Sequence, residues 1–379
     1  MGLLEIRDKI NTVDDQLLKL FLERMELSRE VAEEKTKQNL PILNIKRERE
    51  VLSRISANSG DMDGYARILF STLFELSRSY QGSCMGTTKS KLAEKIYAAL
   101  DETPKLFPAK AVVACHGIEG ANSQQACDRM FSFADIMYFK NFEGVFNAVE
   151  KGLCEYGVLP IENSAHGSVN DVYDLMQGHS FNIVRSIKQH ITHNLLVLPG
   201  TKLSDIKEVI SHPQAIGQCS SFIAKIGAKS TYVENTAVAA EMLAGMGRRD
   251  VAAISSEECA AMYGLEILKG NIQNTDNNYT RFIAISKKLE IYPGSSKISL
   301  MFTTADTPGS LSRIMSRFSS IGVNLSKIES RPMSGSDFKY VFYTDLDASV
   351  YSEEVIKLLS EMERELKFFV FLGSYQEIV

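Results

Sequence analysis

The chain lacks the cysteine patterns that mark disulfide frameworks and zinc sites. Its six cysteines are scattered without CxxC or CxH spacing: Cys84, Cys115, Cys127, Cys154, Cys219 and Cys259. Cysteines spaced in this way favour reduced thiols in a reducing compartment. We therefore expect neither a disulfide framework nor a metal site, and no motif of the sequence requires another cofactor.

Basic stripes, secretory leaders and long apolar runs are missing as well. The net charge is −5 and the pI is about 5.8. No cluster of lysines and arginines alternates with aromatic residues, as a nucleic-acid surface requires. The first residues lack the apolar core of a signal peptide, and no apolar run reaches the roughly 18 residues of a membrane span. These absences argue against nucleic acid and membrane as partners and favour a soluble, cytoplasmic protein.

The chain does have length and ample apolar content. Its 379 residues exceed what one hydrophobic core usually organises, and 44% of them are hydrophobic. We expect about two to four domains.

The N-terminal segment contains an amphipathic helix with two cations on its apolar face. Between Leu4 and Lys37, apolar residues recur at steps of three and four: Ile6, Ile10, Val13, Leu17, Leu20, Leu27 and Val31. Arg24 lies on this stripe, and Lys35 takes the next position beyond Val31. Burying an unpaired charge is costly, so an anion is expected to complete the site. The alternative is that both stems cover apolar surface and hold their charges in solvent.

Two further predicted helices add a carboxylate and neutral donors. The second runs from Asn44 to Ser56 and the third from Tyr65 to Gln81. Their apolar stripes are Ile45, Leu52 and Ile55, then Leu69, Leu73, Leu76 and Tyr80. Glu48 lies on the second stripe with Arg47 on its flank, and Ser77 stands four residues before Gln81.

This constellation resembles the active site of the all-helical chorismate mutases over residues 1–85. The matching positions are Arg7, Arg24, Lys35, Asn44, Arg47, Glu48, Ser77 and Gln81. Several relatives have an aspartate at the position of Asn44. The resemblance implies a pericyclic rearrangement of chorismate to prephenate, which needs a folded substrate and donors aimed at its ether oxygen. It further implies that the arginines and Ser77 bind the dianion and that Lys35, Glu48 and Gln81 are catalytic.

Three helices alone form a thin core of marginal size. We therefore expect two chains to interlock as a homodimer or within a higher homo-oligomer. The resemblance implies that Arg7 then completes the pocket of the partner.

An α/β region is predicted for residues 111–288, after a linker at 86–110 that contains a short helix from Lys91 to Leu100. Short apolar runs alternate there with helical stretches. The predicted strands are Ala111–Cys115, Gly157–Leu159, Leu195–Leu198, Val209–Ser211, Val251–Ile254 and Phe282–Ile285. A break near Ile187 to Leu195 indicates two lobes with a cleft between them.

Five motifs in this region resemble, in their order, the prephenate dehydratases. They are Gly117-Ile-Glu-Gly120 with Ser123, Pro160-Ile-Glu-Asn-Ser164, Ser211-His-Pro-Gln214, Tyr263-Gly-Leu265 and Thr280-Arg-Phe282. Taken singly, each also fits an ordinary turn, cap or strand. At His193-Asn-Leu195 many relatives have a cysteine after the histidine, and we assign no role there.

The resemblance implies loss of carbon dioxide and water from prephenate to give phenylpyruvate. Thr280 is the expected hydrogen-bond donor to the departing hydroxide, since a threonine hydroxyl is too weak an acid to be a full proton source. Arg281 is expected to hold a carboxylate of the substrate. The other residues expected at the substrate are Glu162, Asn163, Ser164, Ser211 and Phe282.

The last unit, residues 297–379, has a predicted βαββαβ order of the ferredoxin-like class. The predicted elements are Lys297–Thr303, Pro308–Ile321, Val323–Ser330, Phe338–Asp345, Ser352–Glu365 and Lys367–Leu372. Thr307 is the expected N-cap of its first helix, with Pro308 at the first helical position.

Two motifs of this unit resemble the phenylalanine-contacting motifs of ACT regulatory domains. They comprise Gly309, Ser310 and Leu311, then Glu329, Ser330, Arg331 and Pro332. Alanine is frequent in relatives at the position of Ser310. The resemblance implies feedback inhibition by phenylalanine, and the alternative is a unit that serves only for dimerisation.

The favoured interpretation is a multidomain, bifunctional enzyme of phenylalanine biosynthesis with its own effector domain. Its ligands would be chorismate, prephenate and phenylalanine. The alternative is a catalytically silent amino-acid sensor whose two-lobed domain binds a small anion. Retention of Lys35, Glu48, Gln81 and Thr280 argues against the sensor, because a binding-only site has little need of such donors.

Overall fold

The computed structural model describes residues 2–38, 40–84, 90–336 and 339–378 of the chain. The chain divides into two compact units, Met1–Lys91 and Leu92–Val379. Several predicted boundaries lie outside the described residues: the domain limit at Met85, the linker start from Gly86 to Lys89, the strand start at Phe338 and the terminus at Val379.

The described part of the first unit is helical, as predicted. Its helices are α1 (Leu3–Gln38), α2 (Ile45–Asn58) and α3 (Asp63–Cys84), with a 3-10 turn at Gly60–Met62. Asn44 caps α2, because its side chain accepts a hydrogen bond from the Arg47 backbone N–H at 3.1 Å. The buried side chains include Ser28, Ala32, Phe74, Ser77 and Gln81. The interior of this unit is therefore small and partly polar.

The predicted apolar stripe of α1 is not packed inside a single chain. Its seven residues, from Ile6 to Val31, are between 39% and 61% exposed. Leu69 and Leu76, predicted to face the core from α3, are exposed as well, and Phe74 is buried instead. An apolar face of this extent is unusual for a lone helical unit.

The second unit is an α/β structure. Its helices are α4 (Lys91–Glu102), α5 (Asn122–Met130), α6 (Phe142–Glu150), α7 (Asn170–Met176), α8 (Pro213–Gln218), α9 (Ser220–Ile226), α10 (Thr236–Met246), α11 (Glu257–Tyr263), α12 (Ser310–Ser320) and α13 (Glu353–Glu365). The first strands are β1 (Lys110–His116), β2 (Phe133–Phe139), β3 (Tyr156–Asn163), β4 (Gly167–Ser168), β5 (Asn182–His190), β6 (Asn194–Val197), β7 (Glu208–Ser211) and β8 (Lys229–Tyr232). The later strands are β9 (Val251–Ser255), β10 (Glu266–Lys269), β11 (Tyr279–Ser286), β12 (Lys297–Thr303), β13 (Asn324–Pro332), β14 (Tyr340–Asp347) and β15 (Phe369–Ile378).

These strands form two sheets within the described residues. The smaller sheet has the order β10-β6-β9-β7-β8, and the larger one β13-β14-β12-β15-β5-β11-β3-β1-β2, with β4 beside β3. The chain leaves the larger sheet after β5, builds the smaller sheet, and returns at β11. Two connections therefore join two lobes, one around each sheet.

The C-terminal part of this unit has the element order β12-α12-β13-β14-α13-β15, as predicted. Its four strands are antiparallel to their neighbours in the order β13-β14-β12-β15. Helix α4, predicted as part of a linker, packs Leu92 and Ile96 into the core formed by these elements. The segment from Lys91 to Glu102 therefore belongs to a folded core and is not a free linker.

The start of α12 differs from the prediction. The helix begins at Ser310, because Gly309 has a left-handed φ of 79° and interrupts the helical backbone before it. The Thr307 hydroxyl hydrogen-bonds the Ser310 hydroxyl at 2.7 Å instead of capping the helix backbone.

Strand β15 joins the C-terminal elements to the rest of the larger sheet. It pairs antiparallel with β12 and, over Gln376 to Ile378, parallel with β5. A Cβ atom at Gly373 would lie 2.1 Å from the carbonyl oxygen of Ile183, so a side chain there would force the strands apart. Glycine at this position permits one continuous sheet.

Candidate active sites

Arg24 and Ser77 meet in the interior of the helical unit. The Arg24 guanidinium donates hydrogen bonds through Nη1 to the Ser77 hydroxyl and to the Leu73 carbonyl oxygen at 3.1 Å. It also lies over the Phe74 ring, 5.7 Å from its centroid. Burial lowers the pKa of Arg24, but a guanidinium stays charged at any physiological pH. A permanent cation thus lies beside a neutral hydroxyl.

Lys35 and Gln81 form the second part of this cluster. The Lys35 ammonium donates to the Gln81 side-chain oxygen at 3.2 Å and to the Ile42 carbonyl oxygen. Burial lowers the pKa of Lys35, and the charge of Glu48 opposes this shift. The two predicted donors to the ether oxygen are therefore adjacent.

Glu48 pairs with a residue that the sequence analysis did not identify. Its carboxylate accepts a hydrogen bond from Arg78 Nη1, and both side chains are half-buried, at 27% and 21% exposed. Arg78 directly follows Ser77 and lies three residues before Gln81 on α3. One feature of the sequence does indicate this position: Arg78 and Gln81 are three residues apart, so their side chains lie on the same face of α3.

Arg7 and Arg47 lie outside this cluster in a single chain. Arg47 is exposed and forms a surface ion pair with Glu50 at 3.4 Å. Arg7 is also exposed, and it precedes Arg24 by 17 residues on α1. That spacing corresponds to about 25 Å along a helix, so Arg7 cannot reach the cluster of its own chain.

Thr280 and Asn163 meet where β11 pairs with the end of β3. The Asn163 amide donates through Nδ2 to Thr280 Oγ1 at 3.0 Å, and the two residues are register partners. This bond uses the threonine hydroxyl as an acceptor. The hydroxyl proton of Thr280 therefore remains available for donation to another group.

A chain of amides continues from Asn163 to the other lobe. Asn163 Nδ2 also donates to Asn278 Oδ1 at 3.0 Å, and Asn278 Nδ2 donates to Gln218 Oε1 at 3.2 Å. His193 Nε2 lies 2.6 Å from the same Gln218 oxygen, and His166 Nδ1 lies 3.2 Å from Gln218 Nε2. Burial lowers the pKa of His193, which favours a neutral ring that donates to Gln218.

This network was only partly visible in the sequence. Asn278 stands two residues before Thr280, next to a quoted motif, whereas Gln218 ends α8 in the smaller-sheet lobe. No local pattern links Gln218 to Asn278, 60 residues further on. Only the fold brings these side chains together.

Two predicted substrate residues are engaged in the protein itself. Ser211 is fully buried and donates to the Ile254 carbonyl oxygen at 2.7 Å, so the prediction that it lines the pocket is wrong for this structure. The Ser164 hydroxyl donates to the Asn277 carbonyl oxygen and accepts from the Tyr279 N–H, both at 2.9 Å. Ser164 therefore fixes the backbone just before Thr280.

Arg281, Phe282 and Glu162 also require correction. Arg281 is 6% exposed, and its guanidinium contacts Asp345, Tyr375 and Glu377. Successive side chains of a strand point to opposite faces, so Arg281 points away from Thr280. Phe282 is 2% exposed within an apolar core, and Glu162 forms an ion pair with Lys327 at 2.8 Å. None of the three is placed to contact a substrate at Thr280.

The predicted regulatory motif at the end of β13 contacts the dehydratase region. The Glu329 carboxylate accepts from the Ser168 hydroxyl at 2.6 Å. Arg331 binds Asp174 through two hydrogen bonds of 2.9 and 2.7 Å. The Pro332 carbonyl oxygen accepts from Gln177 at 3.1 Å. The segment from Glu329 to Pro332, including Ser330, therefore lies against β4 and α7. Gly309, Ser310 and Leu311 lie at the start of α12, which packs beside β13.

Comparison with known proteins defines the class. Residues 6–82 match the family model of type II chorismate mutase, and residues 113–290 match that of prephenate dehydratase. The chain thus joins a helical chorismate mutase to an α/β prephenate dehydratase. The bifunctional chorismate mutase/prephenate dehydratase of Escherichia coli is 33% identical over 98% of this chain and 96% of its own length. The corresponding protein of Aquifex aeolicus is 32% identical over 98% and 97%. The chain belongs to this bifunctional family.

A solved structure is similar over more than two thirds of the chain. The prephenate dehydratase of Arthrobacter aurescens, in complex with L-Phe, superposes with a TM-score of 0.64 and is 31% identical. The match covers 70% of this chain and 89% of that one.

Proposed function

We propose that the enzyme converts chorismate to prephenate at the Arg24–Lys35 cluster and prephenate to phenylpyruvate at Thr280. Family membership establishes both activities and their place in phenylalanine biosynthesis. The direct test is incubation of the purified chain with chorismate and no cofactor, followed by detection of prephenate and phenylpyruvate. Formation of neither product would favour the silent sensor.

The mutase proposal is carried by the convergence of Arg24, Lys35, Ser77 and Gln81 on one half-buried cluster. Arg24 and Arg78 present guanidinium groups suited to carboxylates of a compact dianion. Lys35 and Gln81 lie together as donors for the ether oxygen, where negative charge develops as the bond breaks. Their bonds to one another hold these groups in place before the substrate arrives, and Glu48 fixes Arg78.

The pocket is completed, we propose, by Arg7 of a second chain in a homodimer. The exposed apolar stripe of α1 supplies the surface for this association, and Arg7 lies too far along α1 to serve its own chain. Arg47 and Asn44, at the start of α2, are proposed to contact the substrate from the rim of the pocket.

Mixing two inactive variants tests this arrangement. If Arg7 serves the partner, a hybrid of an Arg7→Ala chain and a Lys35→Met chain has one intact pocket and one doubly altered pocket. Random exchange should then restore about a quarter of the mutase activity, since half of the dimers are hybrids with one working site each. A mixture of Lys35→Met and Gln81→Ala chains is the control and should regain nothing. Failure of the first mixture to recover after exchange would show that Arg7 acts within its own chain.

In the dehydratase, Thr280 is proposed as the donor to the departing hydroxide. The support is its hydrogen bond from Asn163, which orients the hydroxyl and leaves its O–H to donate. Electrons released by decarboxylation expel the hydroxide through the ring, and aromatisation drives the reaction. The amide chain from Asn163 to Gln218 crosses between the lobes and holds this end of the cleft.

The C-terminal elements are proposed to be a ferredoxin-like ACT domain that binds phenylalanine. Three observations support this: the βαββαβ order, the segment from Glu329 to Pro332 against the dehydratase, and the similar Arthrobacter dehydratase with bound L-Phe. Bound effector would favour a conformation with lower dehydratase activity. By reciprocity, a prephenate analogue should weaken L-Phe binding, and equal affinities by calorimetry would exclude this coupling.

Glu329→Gln is expected to weaken L-Phe binding by about tenfold or more, because a charge-assisted hydrogen bond to the ammonium group would be lost. Isothermal calorimetry on the full chain measures the change. Glu354→Gln, on the exposed first turn of α13, is the matched control and should bind normally. Unchanged affinity in Glu329→Gln would remove Glu329 from the effector site.

The proposed location is the cytoplasm. The proposal rests on the six cysteines, which are unpaired thiols in the structure and suit a reducing compartment. In the described part of the chain, no helix is both long and apolar enough to cross a membrane.

A further inference from the structure

A buried cluster of charges joins strand β11 to the C-terminal elements. Arg281, directly after Thr280, contacts Asp345 of β14 through Nη1 and Glu377 of β15 through Nε at 2.7 Å. Its Nη2 donates to the Tyr375 hydroxyl at 2.9 Å. One cation of the dehydratase strand is thus held by three side chains from the C-terminal region.

Glu377 is the centre of this cluster. Besides Arg281, its carboxylate lies 3.2 Å from Lys188 Nζ of β5 and 3.8 Å from Lys297 Nζ of β12. The Glu377 side chain is only 9% exposed. Cations of three strands therefore lie near one carboxylate, but Lys188 is 47% exposed and Lys297 is bound more closely by Asp347 at 2.8 Å. Arg281 is the buried cation of the three, and its burial makes its contacts sensitive to small displacements.

The electrostatic setting of Arg281 shows how far it depends on these partners. Burial alone would lower the pKa of its guanidinium, and Tyr375, Asp345 and Glu377 together raise that pKa above its ordinary value. Moving the carboxylates away would leave a desolvated cation without compensation. The side chain and its strand must follow any such movement.

The geometry at Thr280 makes such a movement consequential. Thr280 and Arg281 are neighbours on β11, so a shift of Arg281 changes the position of the Thr280 hydroxyl relative to Asn163. The bond between Asn163 and Thr280 is 3.0 Å long, and displacements of about 1 Å at a reacting group are enough to impair catalysis.

We propose that Arg281 is a positioning residue that couples the C-terminal region to the dehydratase centre. Asp345 and Glu377 hold Arg281 and thereby place Thr280, and a slight shift of these carboxylates in the effector-bound C-terminal region displaces the hydroxyl. This inference rests on the proposed inhibition by phenylalanine and names the link that transmits it.

The test compares the full-length chain with Asp345→Asn and Glu377→Gln, which keep shape and remove charge. Dehydratase activity is measured with prephenate, with and without saturating L-Phe, and L-Phe binding is measured by calorimetry. Uninhibited kcat/KM should fall by about fivefold or more, because Arg281 and with it Thr280 are no longer held in place, and L-Phe affinity should change little. The ratio of uninhibited to L-Phe-saturated activity should therefore shrink by about fivefold or more relative to the unaltered chain, since the contacts that inhibition disturbs are already weakened.

Two further variants keep the test decisive. Tyr375→Phe removes only the hydroxyl, which binds Arg281 Nη2 and Ser299, and should give smaller changes of the same kind, including where the charge variants do not fold. Glu365→Gln breaks the ion pair of Glu365 with Arg317 at 2.6 Å within the C-terminal region, and inhibition should be unaffected.

The outcomes separate this coupling from the feedback proposal. Full inhibition of every folded cluster variant would overturn the coupling and leave feedback inhibition standing. An unchanged chain that L-Phe neither binds nor inhibits would overturn feedback inhibition and the coupling together. Loss of inhibition in Glu365→Gln as well would show a general weakening of the region and would also overturn the role of Arg281.

Discussion

Replacing Thr280 with valine is expected to lower the kcat of the dehydratase by about 10²–10³-fold, the usual effect of removing one donor to a developing negative charge. Valine keeps the shape of the side chain and removes the O–H that the Asn163 bond leaves available. Mutase activity should persist, because the helical cluster shares no residue with this site. Steady-state assays with prephenate and chorismate as separate substrates measure both effects.

Thr231→Val is the matched control for this experiment. Thr231 lies on β8 of the smaller sheet, where its hydroxyl donates to Glu208 at 2.7 Å. The substitution makes the same chemical change in the same domain and should leave dehydratase turnover nearly normal. Full turnover in Thr280→Val would refute the assignment of Thr280 as the donor.

Replacing Lys35 with methionine is expected to reduce mutase kcat/KM by about 10²–10³-fold, since it removes a positive donor from a half-buried site. Gln81 would lose the hydrogen bond that it accepts from Lys35. The ether oxygen of the substrate would lose its charged donor. Dehydratase activity with added prephenate should be unchanged. Lys37→Met is the control: Lys37 lies on the same helix, is exposed, and pairs with Glu34 at 3.4 Å.

The pH dependence gives a second measurement on Lys35. Its ammonium form is lost as the pH rises through its pKa, and burial lowers that pKa from the ordinary value of 10.5. The alkaline decline of mutase activity should therefore begin at lower pH than for an exposed lysine. Lys35→Arg should remove this decline if the variant retains activity, because arginine stays charged. An unaltered alkaline profile in an active Lys35→Arg chain would assign the decline to another group.

The helices could be predicted from the sequence because their signal is local. The observed ends of α1, α2 and α3 lie within three residues of the predicted ones. The same periodicity could not say what covers the apolar face of α1. A stripe looks the same whether it packs inside one chain or against another, and in the single chain it is exposed.

Strands were predicted less completely. The strands β2, β8 and β10 lie at sheet edges, carry exposed side chains and were not predicted. β8 and β10 are too short and polar to show an apolar run, whereas β2 contains the run Ile136 to Phe139, which was overlooked. Strand β5 lies inside the larger sheet but contains Arg185 and Lys188, which interrupt its pattern. Short polar edge strands and cations within an inner strand are therefore difficult to recognise from the sequence.

The site residues also divide into those that a local pattern indicates and those that only the fold brings together. Lys35 and Gln81 could be assigned to one cluster because each lies on a helix whose periodicity is visible in the sequence, and the structure brings them within 3.2 Å. Their catalytic roles and that of Thr280 stay predictions. Arg281 was assigned to the substrate because arginine commonly binds carboxylates. It does bind carboxylates, but those of Asp345 and Glu377, which follow far along the chain. Long-range partners of this kind require the fold.

The close approach at Gly373 limits how the C-terminal elements can move. Backbone bonds from residues 376–378 to β5 continue the sheet across the junction, and no side chain fits between Gly373 and Ile183. A rigid-body rotation of the C-terminal elements about a hinge would break the hydrogen bonds between β15 and β5. A conformational change that passes through this junction must instead be a change of sheet twist or a slight shear between strands whose hydrogen bonds stay intact.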